Sequence, residues 1–426
     1  TPPPGCVERE RRRLEAIARY ERFLSQPAYH SLSRSFISHC TCVPLGVMVH
    51  GTMEWVLDSD AMELLLRESA SRRYTRELTV AALVGLLIKV AAGRRASVFA
   101  AYTADVASES PTISTSFQAV YSKLGRIDPK FSAAIVRFIA AKLRPVLEAL
   151  PRASDPILPG YRTKILDGNV LAGTERRLKP LRQWLNACLP GKSLVILEPD
   201  LGLITDLVLC EDSYTQERVL TRELLERVQK NDLFVFDRNF TTTAIAFGIA
   251  KREGCFVGRQ HRSTLPVQPT TELKPCGRTD TGTVYEQKVQ AVDPATGATL
   301  VLRRIEVRLL KETRDGEDVI ALLSNLPDTV SAIAIAEIYR KRWTIETQFQ
   351  FLTDSLHCEV PGLGNPRAAL FAFAMSIVAS NALATVRGSL RAAHGKAAEA
   401  EVSGYYLADE VSADCRTLEK YLPADE

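Results

Sequence analysis

The sequence lacks a paired cysteine framework. Its nine cysteines are scattered, odd in number and without a Cys-x2-Cys pair, which argues against a disulfide scaffold and favours a reducing compartment. The chain also opens without the apolar core of a signal peptide, because Thr1 and three prolines lead into arginine-rich sequence. Together these absences predict a cytoplasmic protein.

Two further absences narrow the classes of function. The 54 basic and 50 acidic residues leave a net charge of only +4, so a DNA-binding surface would have to come from local clustering of charge. No glycine-rich phosphate loop of the Walker type occurs, and we therefore expect no ATP hydrolysis.

Apolar sequence is present in the amount expected of a folded protein, at 46% hydrophobic residues. A length of 426 residues exceeds what one core usually supports, which predicts several domains or one domain with a large insertion. The apolar stretch 368–386 is long enough to suggest a membrane span. Because it contains Ser376, Ser380 and Asn381, we expect a buried helix and no membrane partner.

Hydrophobic patterning divides the chain into five parts. Residues 1–150 have helical patterns, and a cluster of prolines follows them. In residues 151–255, short apolar runs alternate with helical patterns, as in an α/β layer. Residues 256–330 show the alternation of antiparallel strands, 331–400 return to helical patterns, and 401–426 form a polar tail.

Acidic residues end two of the apolar runs. In the run 163–168, alternation predicts that Asp167 shares a face with Ile165, while Gly168 allows a close backbone approach. The run 233–236 is apolar on both faces, as in a central strand, and Asp237 follows it directly. An aspartate at a strand end is more often a turn or cap residue, so this pair alone does not establish a site.

A third carboxylate lies in the helical pattern of residues 331–356. At about 100° per residue, Tyr339, Arg342 and Glu346 share one face, and a separate apolar stripe would seat the helix on a sheet. On the shared face, Arg342 could hold a phosphate and Tyr339 could donate a hydrogen bond to a nucleic-acid backbone. The alternative is a solvated face with an (i, i+4) Arg–Glu pair, and spacing alone leaves both open.

Three carboxylates on rigid elements suit phosphodiester cleavage. Two divalent ions about 4 Å apart stabilise charge on the phosphoryl oxygens and activate a water or hydroxyl. Mg²⁺ prefers oxygen ligands and keeps several waters, so a few carboxylates suffice. Asp167, Asp237 and Glu346 are therefore candidate ligands for two Mg²⁺ ions, with Mn²⁺ as a substitute, but their spacing alone does not assign them this role.

The three segments resemble the insertion-sequence-four family of bacterial DDE transposases. The matching motifs are LDGNVL around Asp167, FDRNF around Asp237, and Tyr-x2-Arg-x3-Glu ending at Glu346. The resemblance covers roughly residues 70–400. It implies an α/β fold in which a ribonuclease-H-like mixed sheet is flanked by helices, with an antiparallel β insertion before Glu346 and an N-terminal helical domain that binds DNA.

The activity that the resemblance implies is cut-and-paste DNA transposition. Metal-activated water would nick the end of the mobile element, and the freed 3′-hydroxyl would attack the other strand or the target. Asp167 would bridge the two ions, while Asp237 and Glu346 would each help to hold one. The partners would be double-stranded DNA at the element ends and target, with a protein dimer in the synaptic complex.

Two positions depart from the family pattern. Thr353 stands where the family motif continues to a lysine. Some family members stack a flipped base on a tryptophan of the β insertion, but the three tryptophans of this sequence all lie outside residues 256–330. Phe256 and Tyr285 are the remaining candidates for a stacking surface. Two competing interpretations are an inactive DNA-binding relic and a nuclease on the same fold that cuts DNA without joining strands.

Basic clusters supply further candidates for DNA binding. Arg72, Arg73 and Arg76 lie in the N-terminal helical region, and we expect them to contact phosphates together with Tyr339 and Arg342. A basic cluster is more often a solvated surface, so this alternative remains open as well.

Overall fold

The computed structural model describes most of the chain. The described residues are 49, 51–53, 55–57, 59–69, 78–108, 111–171, 191–212, 215–261, 263–313 and 316–418. The predicted DNA contacts Arg72, Arg73 and Arg76 lie outside the described residues.

Before the proline cluster at residues 151–159, the regular structure of the described residues is helical. Their bounds are Ser59–Ser69 (α1), Val80–Ala91 (α2), Val98–Val106 (α3), Phe117–Leu124 (α4) and Pro129–Ala149 (α5). A polar side chain begins four of them: Thr79, Ser97, Ser116 and Asp128 each accept a hydrogen bond from a backbone amide of the first turn. These caps satisfy amides that a helix leaves unpaired.

The described strands form one mixed sheet. Their bounds are Arg162–Val170 (β1), Lys192–Glu198 (β2), Leu203–Cys210 (β3), Asp232–Phe236 (β4), Cys255–Arg259 (β5), Val267–Pro269 (β6), Lys274–Thr279 (β7), Gly282–Val292 (β8), Thr299–Leu309 (β9) and Val319–Ser324 (β10). Their order is β3-β2-β1-β4-β5-β10-β9-β8-β6, with β7 beside β8. Helices Glu217–Leu225 (α6) and Thr243–Ala250 (α7) connect β3 to β4 and β4 to β5. The prediction of a mixed α/β sheet flanked by helices is confirmed.

The β-rich segment continues the same sheet. Strand β5 lies at the start of the range expected for the insertion, yet it pairs in parallel with β4, because α7 returns the chain as a βαβ crossover. Strand β10 then pairs antiparallel with both β5 and β9. The antiparallel strands are therefore joined edge to edge with the α/β strands.

The helical pattern after the sheet is interrupted. One helix was predicted over residues 331–356, but the structure has α8 (Ala332–Arg340), a 3₁₀ turn (Lys341–Trp343) and α9 (Thr344–Asp354). The backbone of the turn stays in the right-handed helical region, so the interruption tightens the hydrogen-bond pattern without reversing the chain. The predicted apolar stripe is buried on both sides of the turn, at Ile338, Ile345 and Leu352 among others.

Two helices end the described chain, α10 (Pro366–Glu401) and α11 (Gly404–Leu418). The apolar window of α10, with a mean hydropathy of 1.8, would pass for a membrane span by length and composition, but 94% of it is buried inside the protein. The prediction of a buried helix is confirmed. Helix α11 was not predicted, because its mostly polar composition hides the short buried set Leu407, Ala408 and Val411.

Asn381 on α10 joins this helix to the edge of the sheet. Its side chain is fully buried. The Oδ1 atom accepts from the amide of Ile204, and Nδ2 donates to the carbonyl of Ile204, each at 2.9 Å. The register between β2 and β3 shifts beside Ile204, and β3 ends the order of described strands. Asn381 thus pairs the amide and carbonyl of a buried residue on the edge strand β3, where no further described strand is present to pair them.

We expect Asn381→Leu to lower the free energy of unfolding by about 2–4 kcal/mol, because two hydrogen bonds are lost and two buried backbone groups are left unpaired. Urea denaturation would measure this. Ser376→Ala is the matched control on the same helix, since within the described part of the chain its hydroxyl donates to the carbonyl of Ala372 of its own helix, and its effect should stay within about 1 kcal/mol. Equal losses in the two variants would contradict this role of Asn381.

Candidate active site

The parallel pairing of β1 and β4 brings two carboxylates to neighbouring positions. Leu166 of β1 is paired with Phe236, the last residue of β4, so Asp167 on β1 lies next to Asp237, the residue that follows β4. Neighbouring strands lie about 4.8 Å apart. The structure therefore places the two predicted aspartates side by side.

Asp232 holds this register at the opposite end of the strands. Its carboxylate is fully buried and bonds to Arg162 Nε at 2.9 Å and Lys164 Nζ at 2.8 Å, both on β1. The backbone pairing sets Arg162 opposite Asp232. A buried carboxylate needs such partners, and a one-residue slip would separate it from both.

Asp167 is partly enclosed, and each of its oxygens has a donor. Oδ1 accepts from the amide of Gly168 at 2.8 Å, and Oδ2 accepts from Arg342 Nη1 at 3.1 Å. The side chain is 19% exposed. Burial raises the pKa of Asp167 to about 6, with Asp237 and Glu346 adding to the rise, while the Gly168 amide and Arg342 oppose it. The carboxylate is therefore ionised at neutral pH but close to its titration range.

Asp237 begins a short loop that its own contacts shape. Its Oδ1 accepts from the amide of Asn239 at 2.8 Å, and its carbonyl accepts from the hydroxyl of Thr241 at 3.1 Å. Phe240 is fully buried and anchors the loop below the sheet edge. The carboxylate thus remains next to Asp167 at the end of β4.

Arg342 connects Glu346 to Asp167. Its Nη2 donates to Glu346 Oε1 at 2.9 Å, while Nη1 binds Asp167. The (i, i+4) pair of the alternative interpretation is therefore present, but the guanidinium also reaches a strand. It is only 11% exposed and lies 5.1 Å from the ring centroid of Trp343. Two of the three predicted carboxylates, Asp167 and Glu346, thus bond to one arginine, and Asp237 lies beside Asp167.

Tyr339 lies below this cluster rather than on its surface. Its ring is 8% exposed, and burial raises the pKa of its hydroxyl, an effect that neighbouring Arg342 opposes. The structure places Tyr339 beside Arg342, where the sequence put it on the same face, but most of its ring belongs to the core.

Glu217 is a fourth carboxylate at the site, and sequence analysis missed it. It opens α6 and lies against Gly168, so that a side chain at position 168 would collide with its carboxylate. Burial raises the pKa of Glu217, as does Asp237, while Lys192 opposes the rise. Gly168 was the only sequence signal of a close approach, and a glutamate in a first helical turn is too common to identify its partner.

The chemistry of the donor set suits a divalent cation, but its present arrangement does not. The predicted ligands are all carboxylates, the oxygen donors that Mg²⁺ prefers. Among the described residues, however, no group of three or more His, Cys, Asp or Glu side chains is arranged to hold a metal ion. Arg342 instead takes one oxygen each of Asp167 and Glu346. The residue types therefore fit the ion, whereas their arrangement in this structure does not.

The candidates for base stacking in the β segment are not confirmed by the geometry. Phe256 is fully buried and stacks on Phe236 at 5.8 Å, because β5 is an inner strand; the prediction of a stacking surface there is wrong. Tyr285 carries the guanidinium of Arg308 over its ring at 4.3 Å. Thr353 bonds to the carbonyl of Phe349 in its own helix, at 3.0 Å.

The match to one family model supports a DDE transposase. Residues 179–381 match the family model of the transposase DDE domain. This range is a little under half of the chain; it includes Asp237 and Glu346 and begins after Asp167. No curated protein matches the sequence. A cryo-EM structure of the piggyBac transposase synaptic complex with hairpin DNA is a distant likeness, at 14% identity and a TM-score of 0.38 over 91% of this chain and 82% of that chain.

The raised pKa of Asp167 predicts a pH-dependent effect on stability. Its pKa is about 6 in the folded protein against 3.8 ordinarily, so the folded state holds the proton more tightly and ionisation destabilises it. This destabilisation is absent below about pH 4, grows up to about pH 6 and is complete above. At about 1.4 kcal/mol per pKa unit, it reaches roughly 3 kcal/mol.

We therefore expect Asp167→Asn to raise the free energy of unfolding of the metal-free chain by up to about 3 kcal/mol at about pH 7.5 and by little at about pH 4. Urea denaturation in EDTA at both pH values would test this. Asp155→Asn, at an exposed position, is the control. A gain that is the same at both pH values would contradict the assignment.

The contact between Gly168 and Glu217 predicts that alanine at position 168 destabilises the protein, against the usual effect of replacing glycine in a strand. Alanine is normally better than glycine within a strand, but Gly168→Ala should lower the free energy of unfolding by about 1 kcal/mol, because the new methyl group displaces the Glu217 carboxylate. In a Glu217→Ala background the same substitution should be neutral or stabilising. A double-mutant cycle measures the coupling, and additive effects would show that the two residues do not touch.

Proposed function

We propose that the chain is a DNA transposase that cleaves phosphodiester bonds with the help of metal ions and transfers strands at the ends of a mobile element. The observation that supports this best is that Asp167 neighbours Asp237 across two parallel strands and shares Arg342 with Glu346. The transposase DDE domain match supports the general class. Cut-and-paste transposition, and membership of the insertion-sequence-four family, are the finer parts of this proposal.

We also propose that the catalytic core is ribonuclease-H-like. Its strands would be β1 to β5, which include an antiparallel meander and two strands parallel to β1, and its later helices would come from residues 331–400. The antiparallel strands between β5 and α8 would form the insertion, and residues 1–150 a helical DNA-binding region. This division supports the function because it brings carboxylates from both parts of the core to one sheet edge.

In the proposed mechanism, Asp167, Asp237 and Glu346 would hold two Mg²⁺ ions, which Mn²⁺ could replace. Divalent ions supply electrostatic stabilisation of the phosphoryl oxygens and promote deprotonation of the attacking water or 3′-hydroxyl. The enzyme's own part is to position these carboxylates on a rigid edge. Asp167, with its pKa of about 6 in the metal-free protein, is mostly ionised at neutral pH and can therefore accept a cation there.

The proposed partner is double-stranded DNA, and two protein copies would assemble on two element ends in the cytoplasm. Arg342 and Tyr339 would contact a phosphate next to the scissile bond, and Arg72, Arg73 and Arg76 a more distant part of the DNA. Arg259 and Arg238 share Glu317 at the ends of β5 and β4, which adds positive charge beside the site. Such charge favours phosphate binding.

We expect Asp167→Asn, Asp237→Asn and Glu346→Gln each to lower Mg²⁺-dependent cleavage of an element-end duplex by about three orders of magnitude or more, because each removes a charged metal ligand. DNA affinity should change by no more than about threefold, since no phosphate contact is removed. Gel assays of cleavage and strand transfer, with fluorescence anisotropy for binding, would measure both.

Glu337→Gln is a matched control, because Glu337 pairs with Arg340 on the surface of α8. A triad variant that keeps full metal-dependent cleavage would remove that residue from the proposed site. Cleavage by the unaltered chain without strand transfer would favour the nuclease, and DNA binding without any cleavage would favour the inactive relic.

A further inference from the structure

Arg342 occupies the position between two of the proposed metal ligands. Its two terminal nitrogens are divided between Asp167 at 3.1 Å and Glu346 at 2.9 Å. The three residues come from a strand, a 3₁₀ turn and a helix. The guanidinium is therefore a bridge across the site, which a surface ion pair within one helix would not be.

Both carboxylate oxygens of Asp167 already accept a hydrogen bond. Oδ1 already accepts from the Gly168 amide of the same strand, and Oδ2 is held by Arg342. A divalent cation that approached Asp167 from the side of Glu346 would meet the guanidinium first. Two positive groups cannot share the same oxygen at bonding distance without strong repulsion.

We infer that Arg342 competes with the divalent cation: it holds Asp167 and Glu346 together in the metal-free protein, and metal binding requires it to release at least one of them. This inference rests on the proposed function, because it takes Asp167 and Glu346 as the metal ligands. Arg342 is then a positioning residue in the metal-free state.

The negative charge of the site explains why the metal-free protein needs a cationic side chain there. Asp167, Asp237, Glu346 and Glu217 place four carboxylates around one sheet edge. Arg342 is the cation that bonds to two of them, and its side chain is nearly buried. Without a cation these carboxylates repel one another. The guanidinium offsets part of that repulsion until a divalent ion replaces it.

The surroundings of Arg342 offer the released guanidinium a path toward the surface. Its Nε has no hydrogen-bond partner within the described part of the chain, and its carbon lies 5.1 Å from the ring centroid of the exposed Trp343. A side chain that leaves Asp167 can therefore turn outward along this ring. Phosphate is the group that a freed guanidinium binds best, so metal binding would prepare Arg342 for DNA.

The direction in which metal affinity changes when Arg342 is removed separates competition from a purely structural role. If Arg342 only holds the carboxylates in place, its removal lets them separate and weakens metal binding. If it competes, its removal strengthens metal binding. Arg342→Gln is the appropriate variant, because glutamine removes the charge and keeps a hydrogen-bond donor near Glu346.

The experiment is calorimetric titration of MnCl₂ into the full DNA-free chain, in parallel with the protein's thermal unfolding in EDTA and in Mn²⁺. We expect Arg342→Gln to bind Mn²⁺ about tenfold more tightly than the unaltered chain, to be less stable in EDTA, and to gain more stability from Mn²⁺. Arg340→Gln removes an exposed arginine of α8 that pairs with Glu337 and should change Mn²⁺ affinity by less than about twofold.

Asp167→Asn keeps the two hypotheses apart. If it weakens Mn²⁺ binding while Arg342→Gln leaves the affinity unchanged or lower, the competition is refuted and the proposed metal site stands. If neither the unaltered chain nor Arg342→Gln binds Mn²⁺, the proposed function fails, and the inference fails with it. Tighter binding by Arg342→Gln alone, abolished by adding Asp167→Asn, establishes the competition.

Discussion

The parallel register between β1 and β4 is the constraint on which the candidate site depends. Successive side chains of a strand point to opposite faces, so a slip of one residue would turn Asp167 away from Asp237. Apolar packing alone would not prevent a slip of two. The buried carboxylate of Asp232, bonded to Arg162 and Lys164, opposes such slips, because a shift changes at least one of these two contacts, and a poorly paired buried charge is costly. An ion pair at one end of the strands thus sets the geometry at the other.

The site concentrates negative charge that the folded chain alone would not favour. Burial raises the pKa of both Asp167 and Glu217, which shows that ionised carboxylates at this edge are held against an unfavourable environment. Folded proteins commonly place such strain where a ligand later relieves it. Arg342 provides partial relief from within the chain, and its position on a tight 3₁₀ turn aims it across to β1.

Local patterns were enough to predict the strands and their carboxylates. Alternation around Asp167 and the two-sided apolar run before Asp237 reflect contacts that each strand must make, whatever its neighbours are. Glu217 was beyond such reasoning, because its contact with Gly168 joins residues far apart in sequence. Phe256 was misjudged for a similar reason: only the addition of β10 beyond β5 makes it an inner residue. The short buried set of α11 is likewise visible only once that helix packs against α9 and the rest of the core.

The pairing of β10 with β5 has a mechanical consequence. A continuous ladder of backbone hydrogen bonds runs from β3 through the carboxylate-bearing strands to β8. The antiparallel segment cannot swing on a hinge unless that ladder breaks, and any twist at one end is carried to the other. Whatever binds at the far strands is therefore held at a set distance and angle from Asp167 and Asp237. The continuous sheet thus sets the spacing between the far strands and the site.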